Sequence, residues 1–226
     1  NCAGFACGSA LQGGGEYSSN FYSSAWSSKI PVLYGKDNVH GMGDVTNATI
    51  FPHNIGLGAT RDSALVRRIG EAVAIEMWAA HIDLNFSPAV SVPRDERWGR
   101  TYEGYGENPD LVAAMGAAYV RGLQGENFDA EWRIISTAKH FLGDGATDKG
   151  YDRGNATISD DKLRAIHLPP YIAAIEQGVQ SVMASFNQIN GVHQHVDSLR
   201  LTVLLKKELG FDGYVIADWE GIENST

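Results

Sequence analysis

The sequence predicts an α/β fold in which parallel strands alternate with helices, as part of a (β/α)8 barrel of the TIM type. Short apolar runs alternate with longer segments of helical periodicity, in the order of one strand followed by four helix–strand pairs. This alternation implies a parallel sheet with right-handed crossovers. Polar or aromatic residues follow every predicted strand, which favours a barrel over a doubly wound sheet with a single binding crevice.

The composition of the chain changes near residue 30. Residues 1–29 are rich in glycine and serine and show no period, so we expect an irregular segment there. Its Cys2 and Cys7 could form a small disulfide loop or remain as two thiols. Residues 30–226 are expected to form the barrel domain, which at this length holds five or six strand–helix units and is therefore incomplete.

Five apolar runs predict the strands of this domain. Each is short, contains β-branched or aromatic residues, and is bounded by glycine, proline or polar residues. The five predicted strands are residues 30–35, 82–88, 134–141, 181–186 and 213–219.

Four segments between these strands predict helices, because apolar residues recur in them at helical spacing. Thr60 or Asp62 is available to cap the first helix, and Asn108 the second. Pro169 and Pro170 are expected to kink the third. The four predicted helices are residues 61–80, 108–125, 159–178 and 197–210.

The charge of the chain argues against several classes of partner. Lys and Arg number 18 against 27 Asp and Glu, which gives a formal net charge of -9 and disfavours binding to nucleic acid or to an anionic membrane surface. No apolar run approaches the roughly 18 residues of a membrane span. Three N-x-S/T triplets, at Asn47, Asn155 and Asn224, would suit a secreted eukaryotic protein but are common by chance.

The residues that follow the strands form a consistent chemical set. Carboxylates and charged donors bind vicinal hydroxyls, and a flat aromatic ring stacks on the apolar face of a sugar. The set predicts a sugar site and comprises Asp37, Trp98, Arg100, Lys139, His140, Asp218 and Trp219.

Simpler interpretations of these residues stay open at this point. Lys139 and His140 could form a solvated strand edge, since a regular strand turns neighbouring side chains to opposite faces. Asp218 could cap a following helix. His193 and His195 have the spacing of a metal pair, but histidines in a polar turn are mostly solvated, so we expect neither a metal nor a cofactor. A Schiff-base aldolase that uses Lys139 is a remote alternative.

Five motifs resemble, in the correct order, those of the barrel domain of glycoside hydrolase family 3. The resemblance is to the β-glucosidase and exo-β-glucan glucohydrolase branch and covers roughly residue 30 to the end. The motifs are "YGKDNVHG", "ATIFPHNIGLGATRD", "PRDERWGRTYEGYGENP", "AKHFLGDGATDKG" and "LLKKELGFDGYVIADWEGI".

The resemblance implies retaining hydrolysis of a β-glucoside or β-glucan oligosaccharide, with a carboxylate nucleophile and a second carboxyl that acts as acid and then base. The nucleophile of the family maps onto Asp218. Phe186 stands where a Tyr is often found, so one hydroxyl contact is expected to be missing. The residues expected to contact the substrate are Asp37, Arg100, Lys139, His140, Met183, Phe186 and Trp219.

The chain also departs from the family pattern. Ala217 replaces the usual Ser or Thr before the nucleophile, and the first barrel helix has no room between Trp26 and Ile30. The family's general acid/base usually lies in a second, C-terminal domain, which we expect to be absent from a truncated chain. A second domain, another chain or an oligomer would then supply the acid.

A local acid is the less favoured alternative. The loop after "AKHF" has Asp144, Asp148 and Asp152 but lacks the catalytic His of the β-N-acetylhexosaminidase branch. We treat the remaining loop carboxylates first as structural groups, namely Glu103, Glu107, Asp144 and Glu220.

Two functional hypotheses follow for this chain. It is either an exo-acting, secreted or periplasmic β-glucosidase that forms a covalent intermediate on Asp218, or a truncated barrel that binds sugar without turning it over. The two share the same site and differ in whether an acid completes it.

Overall fold

A computed structural model describes residues 33–128 and 131–223 of the chain. The predictions for residues 1–29, for Cys2 and Cys7, and for the missing helix between Trp26 and Ile30 lie outside these residues. The sequon at Asn224 lies outside them as well.

The strands form two separate sheets in the part of the chain described. The main sheet has five strands in the order β1-β2-β3-β5-β8, and every neighbouring pair is parallel. This confirms the predicted fold class, in which parallel strands alternate with helices. The strands are β1 Gly35–Lys36, β2 Leu84–Asn85, β3 Ile135–Phe141, β4 Asn155–Ala156, β5 Ser181–Ala184, β6 Gln188–Ile189, β7 Val192–His193 and β8 Tyr214–Ile216.

Along the chain, the helices lie between successive strands of the main sheet. The α-helices are α1 Asn54–Thr60, α2 Ser63–Ala79, α3 Pro109–Gln124, α4 Asp160–Lys162 and α5 Pro169–Glu176. Two segments are π-helical, Leu163–His167 and Leu199–Glu208. Short 3-10 turns occur at Thr101–Glu103, Glu126–Phe128, Asp144–Ala146, Asp148–Gly150 and Gln194–Val196.

Local signals set the ends of these helices. Asp62 rather than Thr60 caps α2, because its side chain accepts the Leu65 amide at 2.9 Å. Asn108 caps α3 as predicted. The predicted helix 159–178 is interrupted by the π-helical turn before α5, which begins at Pro169, where a proline cannot continue the preceding hydrogen-bond ladder.

The core lies between the main sheet and the layer formed by α2, α3 and α5. Strand β3 is buried along almost its whole length, as expected for a strand of a parallel sheet that is covered on both faces. The largest buried side chains of this cluster include Met77, Met115, Tyr119, Phe141 and Tyr171. None of the described helices is long and apolar enough to cross a membrane.

The sequence pattern did not predict α1 or the small sheet β4-β6-β7. The seven residues of α1 include two glycines, and the strands of the small sheet have two residues each, so neither gives a periodic signal. Helix α1 supports the loop that follows β2, since Asn54 Nδ2 donates to the Glu103 carbonyl at 2.7 Å. Gly58 packs directly on the Tyr105 carbonyl.

The contact between α1 and this loop predicts opposite outcomes for two glycines of the same helix. A Cβ at Gly58 would lie 1.7 Å from the Tyr105 carbonyl oxygen, so Gly58→Ala should lower the free energy of unfolding by about 1–3 kcal/mol. Gly56 has its nearest neighbour atom at 3.8 Å, so Gly56→Ala should raise stability by up to about 1 kcal/mol. Urea denaturation measures both, and equal effects would contradict the close packing.

Candidate active site

A cavity of about 500 Å³ opens at the carboxyl ends of the main sheet. Residues from β3 and β5, and from the loops after β1, β2 and β8, line it, as the parallel sheet requires. Six of the predicted site residues are among them: Asp37, Arg100, Lys139, His140, Met183 and Asp218. The structure therefore brings together residues that are up to about 180 positions apart in the sequence.

Lys139 and Asp37 form an ion pair at one side of this cavity. The Lys139 side chain is only 4% exposed, whereas Asp37 is largely open to the cavity. A buried ammonium needs a charged partner, and Asp37 supplies it. The pair presents both an acceptor and a donor, which suits neighbouring hydroxyl groups of one ligand.

Lys139 and His140 are adjacent in β3 but line the same cavity. A regular strand would turn them to opposite faces. The pairing of β3 with β5 shifts register between Ala138 and Phe141, so the strand is irregular where these two residues lie. The solvated-edge interpretation of the pair is wrong, because both residues are buried.

The hydrogen bonds of His140 define its tautomer. Arg100 Nη2 lies 3.0 Å from His140 Nε2, and a guanidinium group can only donate, so Nε2 must be the acceptor. Nδ1 therefore carries the proton and donates to Asp144 Oδ2 at 2.9 Å. The imidazole is held at both ring nitrogens.

Asp144 is the last acceptor in this chain of hydrogen bonds, which runs from Arg100 through His140. Its side chain also accepts from Ser91 Oγ at 2.5 Å and from the Gly145 amide at 2.9 Å. Burial acts to raise the pKa of Asp144, but the hydrogen bonds from His140 and Ser91 and the charge of Arg100 outweigh it and hold the pKa below its ordinary value. Asp144 is thus a buried, ionised acceptor.

Glu103 fixes the orientation of Arg100. Two hydrogen bonds of 2.9 Å join the guanidinium to the two carboxylate oxygens of Glu103. Burial acts to lower the pKa of Arg100, but the hydrogen bonds and charge of Glu103, with the charge of Asp144, raise it. A guanidinium bound at two points has a fixed plane, so its remaining donors have fixed directions.

Asp218 lies just beyond β8, with its side chain 20% exposed. Oδ2 is 3.7 Å from His140 Nε2, and Oδ1 accepts the Trp219 amide at 2.7 Å. The Asp218 amide in turn donates to His195 Nε2 at 3.1 Å. One carboxylate oxygen is therefore held by the main chain, while the other is on the side of His140.

None of the three aromatic residues of the prediction lines the main cavity. Trp98 is buried, and its Nε1 donates to Asp152 Oδ1 at 3.1 Å. Phe186 lines a small adjoining pocket together with His140 and Asp218, and the Arg153 guanidinium lies 4.2 Å from its ring centre. Trp219 is 80% exposed and does not line the cavity or the adjoining pocket. Its contact with a substrate stays a prediction.

The histidine pair has other partners than a metal. His193 Nε2 lies 2.8 Å from Gln188 Nε2, and His195 Nε2 accepts the Asp218 amide. Within residues 33–128 and 131–223 no group of three or more His, Cys, Asp or Glu side chains is arranged to hold a metal ion.

The family model for the glycosyl hydrolase family 3 N terminal domain matches residues 15–226 of this chain. The chain belongs to glycoside hydrolase family 3. Similar curated proteins include a lysosomal beta glucosidase of Dictyostelium discoideum, 37% identical over 86% of this chain and 24% of its own length. A periplasmic beta-glucosidase of Salmonella typhimurium is 33% identical over 86% of this chain and 25% of its own length.

Solved structures show the same relationship. An exo-1,3/1,4-beta-glucanase from a Pseudoalteromonas species has a TM-score of 0.86 and 50% identity, covering 91% of this chain and 27% of that one. A Listeria innocua beta-glucosidase mutant in complex with laminaribiose has a TM-score of 0.81 and 33% identity, covering 87% and 28%. The predicted family and barrel-type fold are confirmed, and the chain spans about a quarter of the length of these family 3 relatives.

Three residues of the site were not recognised in the sequence. Glu103 and Asp144 were interpreted as structural loop carboxylates, but they orient Arg100 and His140. His195 was interpreted as a solvated turn residue, but it binds the main chain of Asp218. Sequence spacing gives a weak signal for two of them, because Glu103 lies three residues after Arg100 and Asp144 lies four residues after His140. No comparable spacing relates His195 to Asp218.

The lowered pKa of Asp144 predicts a pH-dependent contribution to stability. The ionised form is favoured in the fold, so its contribution is complete above the unfolded pKa of about 3.9 and is lost as the pH falls through the lower folded value. Asp144→Asn should therefore cost about 1–3 kcal/mol at neutral pH. The difference from the unaltered chain should shrink below about pH 4.

Urea denaturation at neutral and acidic pH measures this effect. Asp161→Asn, at an exposed position of α4, is the matched control and should change stability by less than about 0.5 kcal/mol at either pH. A loss in Asp144→Asn that is the same at every pH would show that the charge of Asp144 does not act as described.

Proposed function

We propose that this chain provides the nucleophile and the sugar-binding residues of an exo-acting, retaining β-glucosidase. The observation that carries the proposal is the place of Asp218, beyond the end of β8 in a cavity with charged donors and acceptors. Membership of family 3 supports the reaction class.

The proposed substrate is the terminal β-D-glucosyl unit of a β-glucoside or β-glucan oligosaccharide. Asp37, Lys139, Arg100 and His140 offer donors and acceptors for adjacent hydroxyl groups. The Listeria innocua relative has been solved with laminaribiose, glucose and isofagomine, which supports a glucose-sized ligand. Met183 and Phe186 would supply apolar contacts, and the exposed Trp219 would stack on the sugar.

The proposed chemistry has two steps. An Asp218 oxygen forms a bond to the anomeric carbon as the glycosidic C–O bond breaks, and the leaving group departs with the electron pair and takes a proton from an acid. Water then attacks the glycosyl ester, gives its proton to the same group acting as base, and releases the sugar with retained configuration. Oδ2 is the better placed oxygen, because Oδ1 is bound to the Trp219 amide.

We propose that the general acid/base comes from another domain or from another chain. The described carboxylates that contact the site residues already have partners, since Glu103 binds Arg100 at both oxygens and Asp144 binds His140. The lowered pKa of Asp144 also makes it a poor proton donor at neutral pH. The same facts favour the alternative function, a barrel that binds sugar without turnover.

A secreted or periplasmic location is part of the proposal. Its support is that one relative is named a periplasmic and another a lysosomal beta-glucosidase. Cell fractionation of the source organism, with an antibody against this chain, would locate the protein.

Covalent labelling of Asp218 tests the proposal. A 2-deoxy-2-fluoro-β-glucoside with a dinitrophenolate leaving group needs no acid for the first step, so the chain should accumulate one glycosyl ester on Asp218. Peptide mass spectrometry locates the label. The corresponding xyloside should react more slowly, which is a useful comparison because one relative is named a beta-xylosidase.

Two variants control the labelling experiment. Asp218→Asn should abolish the label, whereas Asp212→Asn, at an exposed residue before the opposite end of β8, should leave it unchanged. A label on any other residue, or no label at saturating reagent, would refute the nucleophile and favour the sugar-binding alternative.

Glucose affinity tests the proposed role of Lys139. Lys139→Met removes a buried charged donor but keeps most of its volume, so the dissociation constant for glucose should rise at least tenfold, about 1.5–3 kcal/mol. Titration calorimetry measures the change. Lys207→Met, at an exposed residue of the helix Leu199–Glu208, should leave the affinity unchanged, and an unchanged affinity in Lys139→Met would remove Lys139 from the proposed site.

A further inference from the structure

We propose that His195 is a positioning residue that holds the main chain of the nucleophile in place, an inference that rests on the proposed function of Asp218. The backbone amide of Asp218 donates to His195 Nε2 at 3.1 Å. His195 lies in the 3-10 turn Gln194–Val196, directly after β7 of the small sheet, so this contact connects that turn to the main chain just beyond β8, across 23 positions of sequence.

The position of β8 explains why its end needs such a partner. In the described part of the chain β8 is the last strand of the main sheet and pairs only with β5. That pairing ends at Ile216, two residues before Asp218. Among the described residues no strand pairs with the main chain beyond this point, and an amide without a partner is costly when it is shielded from water. His195 supplies the acceptor that the sheet does not.

The turn that carries the nucleophile packs closely around the imidazole. The Gly221 amide donates to the Asp218 carbonyl at 2.9 Å and closes the turn. A Cβ at Gly221 would lie 2.1 Å from His195 Nε2, so a larger residue there would have to displace the imidazole. The Phe186 ring lies 5.3 Å from the imidazole, centre to centre. These contacts leave the ring little room to move.

The direction of the hydrogen bond requires a neutral histidine. An amide can only donate, so Nε2 must be unprotonated. Burial lowers the pKa of His195, and this outweighs the opposing effects of the Asp218 charge and the Ser185 main chain. The accepting form is thus the one present at neutral pH.

Loss of this contact is expected to affect the reactivity of the nucleophile but not the binding of the sugar. His195 touches the main chain of Asp218, whereas the proposed hydroxyl-binding residues Asp37, Arg100 and Lys139 lie on β3 or after β1 and β2. Loss of His195 should let the turn shift and slow the attack, because small misplacements of a reacting group are expensive. Binding of the sugar before reaction should change little.

The test uses the full chain with the dinitrophenyl 2-deoxy-2-fluoro-β-glucoside described above. The inactivation rate constant and the inhibitor constant are measured separately for His195→Phe and His195→Gln. We expect His195→Phe, which keeps a ring but has no acceptor, to lower the rate constant about tenfold while the inhibitor constant stays within about twofold. His195→Gln, whose amide oxygen can accept, should recover most of the rate.

His193→Phe is the matched control, because His193 lies two residues away and pairs with Gln188 instead. It should react like the unaltered chain. If His195→Phe does not fold, His195→Asn, which is too short to reach the Asp218 amide, takes its place. An unchanged rate constant in a folded variant, or equal losses in the glutamine and phenylalanine variants, would overturn the inference.

A second readout does not depend on reactivity. Amide hydrogen exchange at Asp218, followed by NMR, should be faster in His195→Phe than in the unaltered chain or in His193→Phe. If the unaltered chain takes no label, the proposed function fails, and the positioning role fails with it. This holds even if slow amide exchange at Asp218 confirms the hydrogen bond to His195. If it labels normally and exchange at Asp218 does not respond to His195→Phe, only the positioning role fails.

Discussion

The hydrogen bond between His140 and Asp144 is the contact on which the geometry of the site depends. Asp144 fixes the proton of the imidazole on Nδ1, which makes Nε2 the acceptor that Arg100 requires. Arg100 is in turn bound by Glu103, on the loop that α1 supports. A change at Asp144 would therefore alter the positions of both the His140 imidazole and the Arg100 guanidinium, although Asp144 itself does not line the cavity.

Burial of so many charges is tolerated because nearly every one has a partner. An isolated buried ion costs several kcal/mol, whereas a paired and hydrogen-bonded one costs far less. Lys139 is paired with Asp37, and Asp144 accepts from two side chains and a main-chain amide. The site thus keeps ionised groups in fixed directions at modest cost to stability, which suits recognition of a neutral, many-hydroxyl ligand.

The parts that the sequence predicted depend on local or repeated signals. Asn108 next to Pro109 marks the start of α3, and polar residues after successive strands place Lys139 and Asp218 at one end of the sheet. The remaining contacts depend on three-dimensional packing between distant segments. Ser91 reaches Asp144 across 53 positions, and no spacing rule encodes that contact.

His195 and Trp219 show that residue type alone does not predict which side chains contact the site. An aromatic residue beside a nucleophile suggests a lining residue, yet Trp219 is 80% exposed and lines neither the cavity nor the adjoining pocket. A histidine in a polar turn suggests solvent, yet His195 accepts the Asp218 amide just beyond β8. Its turn, Gln194–Val196, directly follows β7 of the small sheet, and the two-residue strands of that sheet give no periodic signal in the sequence. Residue type indicated the chemistry of the site, whereas only the three-dimensional structure showed that His195 is the side chain that contacts the Asp218 main chain.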